Sequence, residues 1–108
     1  MKIRCDCGHS IVDQTDALPY KAHLIPDQHW FTLLDAIDDA IETTTLHPQQ
    51  QEREMMRLRT LVGRLSRAVW QCSACGTLLV DVDRADPKRF RPVDSSLQSS
   101  VLSTRDKK

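Results

Sequence analysis

The chain has 108 residues, 40% of them apolar but only 5% aromatic, and its fifteen basic and fifteen acidic side chains cancel. That length fits one domain with a modest aliphatic core, and cores of this size often need a staple. Zero formal charge excludes a global field toward nucleic acid or a membrane surface, and no apolar run approaches the ~18 residues of a transmembrane helix.

The charge is nonetheless unevenly placed. Residues 1–46 hold three basic and eight acidic side chains, whereas residues 47–108 hold twelve and seven. Lys2 and Arg4 precede no apolar stretch, so a signal peptide is not expected and a cytoplasmic location is. In a reducing compartment four cysteines are read as metal ligands before disulfides.

Taken in chain order, "MKIRC" and "GHSIVD" predict two short strands flanking the first cysteine pair, Cys5 and Cys7. Pro19 and Pro26 then exclude a continuous helix from "QTDALPYKAHLIPD", which reads as turn. Asp27 is the expected N-cap of a helix over about 27–43. Trp30, Leu33, Leu34, Ile37 and Ile41 recur at helical spacing and predict its core face. Asp35, Asp38, Asp39 and Glu42 form an acidic stripe roughly opposite, and Thr43 to Thr45 weaken continuation of the helix.

Pro48 suits the first turn of a second helix, expected over about 48–67. Met55, Leu58, Leu61, Val62 and Leu65 define its apolar face, with Arg53, Arg57, Arg64 and Arg67 on the other side. "AVWQC" and "GTLLVDVD" then repeat the opening design of strand, cysteine pair, glycine and strand. Residues 1–93 are expected to form a single metal-bound domain. From Asp94 to Lys108 the composition predicts a disordered tail.

Cys5, Cys7, Cys72 and Cys75 supply four thiolates, the number that a closed tetrahedral zinc site requires. Each pair ends in Cys-Gly, and a glycine there permits the tight turn that wraps backbone amides around a thiolate. Knuckles at 5–8 and 72–76 with these flanking strands resemble the zinc ribbon, and related knuckles occur in rubredoxin-like proteins. "CSACG" matches the CxxCG form, whereas "CDCGH" is one residue shorter. The resemblance covers roughly residues 2–13 and 68–83 and leaves out the interval between them. There, helices of about 16 and about 20 residues would rise on the order of 24 and 30 Å, travelling out and back. The predicted fold class is therefore α+β: small ribbon-like β-hairpins closed by one metal, with an inserted antiparallel two-helix hairpin. One structural zinc per chain is the expected cofactor. Iron in the four-thiolate site and His9 in place of a cysteine are the alternatives.

Four thiolates leave no position open for a catalytic water, and no GxSxG, HExxH or phosphate-binding glycine loop occurs, so no enzyme is expected. Three functional readings follow. The first is a protein-binding module, of inhibitor or immunity type, that opposes Asp35, Asp38, Asp39 and Glu42 to a basic protein. The second, implied by the ribbon resemblance, is nucleic-acid binding through Lys88, Arg89, Phe90 and Arg91, together with Arg84. The third, implied by the rubredoxin-like knuckles, is electron transfer. Partner identity and oligomeric state are not legible in the sequence.

Overall fold

The computed structural model describes residues 1–83, 86–94 and 100–103. The architecture is α+β, with two helices and two antiparallel sheets among the described residues. The chain divides into two compact units. One joins Met1–His23 to Ala68–Lys108, and the other is Leu24–Arg67. Among the described residues, no helix is long and apolar enough to cross a membrane.

In the first unit, β1 (Lys2–Arg4) pairs antiparallel with β2 (Ser10–Val12), setting Ile3 opposite Ile11. Alternation turns both isoleucines inward, and Ile11 is buried. A second sheet has the order β3–β4–β5–β6, formed by β3 (Lys21–Leu24), β4 (Arg67–Gln71), β5 (Leu78–Val80) and β6 (Lys88–Phe90). The β4–β5 register pairs Trp70 with Leu79, and both are buried. Together with Cys5, Ile11 and Cys72 they make the core, flanked by Ile3, Tyr20, Ala68 and Cys75. Two of the four cysteines are thus core residues, consistent with a chain that has few large apolar side chains to spare.

Two strands lie where the sequence pattern predicts none. β3 occupies the stretch between Pro19 and Pro26, and its neighbour Tyr20 is anchored by its hydroxyl, which donates to the Val12 carbonyl. Its Lys21 ammonium contacts Asp13 at 2.7 Å and lies 5.9 Å from the centre of the Trp70 ring. Trp70 Nε1 donates to the same carboxylate at 3.0 Å. β6 is an edge strand whose three residues are all exposed, so it carries no burial alternation to read. Charged side chains on such an edge oppose unwanted strand pairing.

Described residues of the segment expected to be a disordered tail make contacts in this unit. The Val101 amide donates to Gln71 Oε1 at 2.9 Å, and the Ser103 hydroxyl donates to the Pro19 carbonyl at 2.9 Å. Residues 95–99 and 104–108, also part of that expectation, lie outside the described residues.

The second unit is a helical hairpin. α1 spans Asp27–Leu46, and a 3₁₀ turn at Pro48–Gln50 leads into α2, Gln51–Leu65. Pro26, not Asp27, is the N-cap; Asp27 opens the helix, where a carboxylate complements the macrodipole. α1 continues through the three threonines, and the Thr45 hydroxyl donates to the Ile41 carbonyl, one turn back, at 2.8 Å. α2 stops at Leu65 because Arg67 already begins β4.

The expected core face of α1 is shifted. Its buried residues are Leu33, Ala36 and Ala40, while Trp30, Leu34, Ile37 and Ile41 are 36–61% exposed. On α2 Leu58, Leu61 and Leu65 are half-buried, and Met55 and Val62 are exposed. Two small alanines let α1 approach α2 closely, but a pair of helices can cover only part of each apolar arc.

Candidate metal centre

The first cysteine loop is closed by two backbone bonds: the Gly8 amide donates to the Cys5 carbonyl and the Cys5 amide to the His9 carbonyl, both at 2.9 Å. In the second, the Gly76 amide donates to the Cys72 carbonyl at 2.8 Å and the Cys72 amide to the Thr77 carbonyl at 2.9 Å. Both turns need left-handed backbone, with φ of +97° at Gly8 and +81° at Gly76, which glycine adopts without steric cost. A Cβ at Gly76 would also lie 3.2 Å from Pro92 Cγ, whereas one at Gly8 would meet open space.

Each loop hangs from a strand pair, and the first unit brings the two loops together. The sulfur atoms of Cys5, Cys7, Cys72 and Cys75 all lie within 4.8 Å of one another. Cys5 Sγ is 3.5 Å from Cys75 Sγ, and Cys7 Sγ is 3.6 Å from Cys72 Sγ. These separations far exceed the ~2.0 Å of a disulfide. Cys5 and Cys72 are buried, Cys75 is half-buried and Cys7 is exposed. The four cysteines singled out by spacing are therefore a set that can hold one metal ion.

The surroundings treat the sulfurs unequally. Burial pushes the Cys72 thiol up to about 12, and burial also raises Cys5. Hydrogen bonds from the Thr77 hydroxyl and the Thr77 backbone pull Cys75 down to about 6. The hydroxyl lies 3.1 Å from Cys75 Sγ and belongs to a buried side chain. Thr77 was not singled out from sequence, although its place directly after Cys-Gly is the signal that finds it. Buried thiols resist ionisation, and a cation bound among them supplies the charge that favours thiolate.

His9 is not part of the cluster. Its Nε2 lies 3.3 Å from the Ser73 hydroxyl, so it links the two cysteine loops from outside. Asp6, within the first loop, receives two arginines. Arg89 Nε is 3.2 Å from Asp6 Oδ1, and Arg91 Nη2 is 3.7 Å from Asp6 Oδ2.

The other candidate residues are dispersed. Asp35, Asp38, Asp39 and Glu42 are all exposed on α1. Lys88, Arg89 and Phe90 lie on β6, where alternation sets Lys88 and Phe90 on one face and Arg89 on the other. Arg89 and Arg91 both reach Asp6 in the first cysteine loop. Arg84 lies outside the described residues.

No curated protein and no solved structure matches the chain. A family model described as "Domain of unknown function (DUF8617)" matches residues 1–96, which takes in both cysteine loops and both helices. With most of its length matched in this way, the chain belongs to the DUF8617 family.

Proposed function

We propose that this protein is a zinc-stapled protein-binding module without enzymatic activity. Its ribbon-like β-hairpins hold one structural zinc ion through Cys5, Cys7, Cys72 and Cys75. The observation that carries this reading is the sulfur spacing. A tetrahedron with Zn–S bonds of ~2.3 Å has edges of ~3.8 Å. The closest sulfur pairs stand at 3.5 and 3.6 Å, near that edge. Burial of Cys5 and Cys72 in the core supports a structural role, and four protein ligands complete the coordination without an open position for water.

In this reading the acidic face of α1 meets a basic protein in the cytoplasm, as an inhibitor or immunity-type protein would. Five carboxylates and no lysine or arginine stand on that helix, which supports steering of a positively charged surface. Nucleic-acid binding through residues 88–91 is less supported, because two of its four residues are engaged with Asp6. Two measurements test the proposal: elemental analysis of protein purified without chelator, and capture of partners by the native chain and by a variant with α1 neutralised. Metal-free folded protein would overturn the zinc reading. Undiminished partner binding by the neutralised variant would overturn the acidic face.

A further inference from the structure

The helical hairpin presents a second surface, distinct from the acidic stripe. Trp30, Leu34, Ile37 and Ile41 are spaced by four, three and four residues, so they form a single row along α1. Each is 36–61% exposed. Met55 and Val62 form a shorter row on α2, 47% and 38% exposed. Their relation follows from the handedness of the helices. On α1 the row lies about a quarter-turn from the buried Leu33, Ala36 and Ala40, in the direction of increasing helical angle. On α2 it lies a similar angle from Leu58, Leu61 and Leu65, in the same sense. Because the helices run antiparallel with these covered faces turned toward each other, both rows emerge on the same broad side of the hairpin.

We infer that a second copy of this chain covers that side, so that two hairpins form a four-helix bundle. Soluble helices normally bury such rows, and a contiguous exposed apolar strip marks an interaction surface. Its size suits a weak dimer. α1 and α2 have 20 and 15 residues, giving lengths of about 30 and 22 Å, and two helices side by side are about 20 Å wide. The face therefore spans about 500 Å² on each copy, and the pair reaches the lower limit of ~1,000 Å² for a specific interface.

Charge selects the arrangement. α1 carries five carboxylates and no lysine or arginine; α2 carries four arginines and two glutamates. Stacking α1 on the α1 of a second copy would oppose two strongly acidic helices. Laying α1 across the second copy's α2 opposes unlike charges and obeys two-fold symmetry, since each contact then occurs twice. Helical spacing sets Asp38 at the rim of the apolar row on α1 and Arg59 at the rim on α2, where they can meet across the interface.

Sedimentation equilibrium of the full-length, metal-loaded chain tests this inference. At ~100 μM, well above a micromolar dissociation constant, the native chain should sediment at twice the monomer mass. Leu34→Glu and Ile41→Glu should each raise the dimer dissociation constant more than tenfold, by placing a charge in the seam, while retaining metal content and helicity. Rising salt should weaken the native dimer. A native monomer at that concentration overturns the inference, as does a dimer that survives both substitutions. A dimer that tightens with salt overturns the pairing of α1 with α2.

Discussion

Arg89 reaches from the edge strand β6 to Asp6 in the first cysteine loop, placing its Nε 3.2 Å from the carboxylate. The same guanidinium donates through Nη2 to the Arg4 carbonyl at 3.4 Å. β6 thereby adds a hydrogen-bonded clasp across the start of that loop.

Removing that clasp should have small consequences. Asp6 is about half exposed and Arg89 about one-third, so the pair is screened by solvent. Arg89→Ala and Arg91→Ala are each expected to cost ~1 kcal/mol or less in chemical unfolding. Binding to DNA and RNA, measured at two salt concentrations, should be unaffected by either change. A clear loss of nucleic-acid affinity would instead revive the reading in which these arginines contact phosphates.

Metal loss should have large consequences. Structural zinc contributes folding free energy on the order of 10 kcal/mol in small zinc peptides. Cys75→Ser is therefore expected to bring metal content well below one zinc per chain and to lower the melting temperature by tens of degrees. Elemental analysis and calorimetry on the same preparation check both effects. Strong chelators should reproduce them in the native chain.

Neutralising α1 should separate binding from folding. With Asp35, Asp38, Asp39 and Glu42 changed to Asn or Gln, stability should shift by about 0.5 kcal/mol or less per site, since all four are exposed. Association with a basic partner should slow, and its salt dependence should flatten. Stopped-flow association rates at two ionic strengths provide the measurement.

The C-terminal segment should contribute measurably to stability. Truncation after Asp94 removes the Val101 amide from Gln71 Oε1, and the Gln71 side chain is buried. Loss of that bond and of the Ser103 contact to Pro19 is expected to cost about 1–2 kcal/mol, a fall of roughly 4–15 °C in melting temperature. Thermal scans of the native and truncated chains check this. An unchanged transition would show that residues 100–103 add no net stability.

Asp13 should give the fold an acid-sensitive contribution. The hydrogen bond from Lys21, helped by that from Trp70, holds its carboxyl below the ordinary value of 3.8. Unfolded chains bind this proton more readily than folded ones, so the contribution is present above pH 3.8 and is lost as pH falls through the folded-state value. Asp13→Asn should cost ~1 kcal/mol at neutral pH, and the gap from the native chain should narrow on acidification. NMR titration of the Asp13 carboxyl should show a midpoint below 3.8.

What the sequence by itself determined was local or chemical in kind. Four thiols in two Cys-Gly loops and two helical periodicities were legible because spacing along the chain encodes both. The flanking strands β1, β2, β4 and β5 were legible because short apolar, β-branched stretches adjoin each cysteine pair. Only the tertiary structure decided which apolar residues are covered. Trp30 and Ile41 share a periodic row with Leu34 and Ile37, yet burial goes to Leu33, Ala36 and Ala40, where the neighbouring helix approaches. Hydrophobic spacing shows that a helix has an apolar arc, but the partner's position decides which part of it is buried. β3 and β6 escaped a local reading for a related reason. Each is three or four residues long; β3 lies between prolines and pairs with the distant β4, while β6 is fully exposed and pairs with the preceding β5. Arg89 and Asp6 are 83 positions apart, so the clasp at the cysteine loop arises only when β6 joins the sheet.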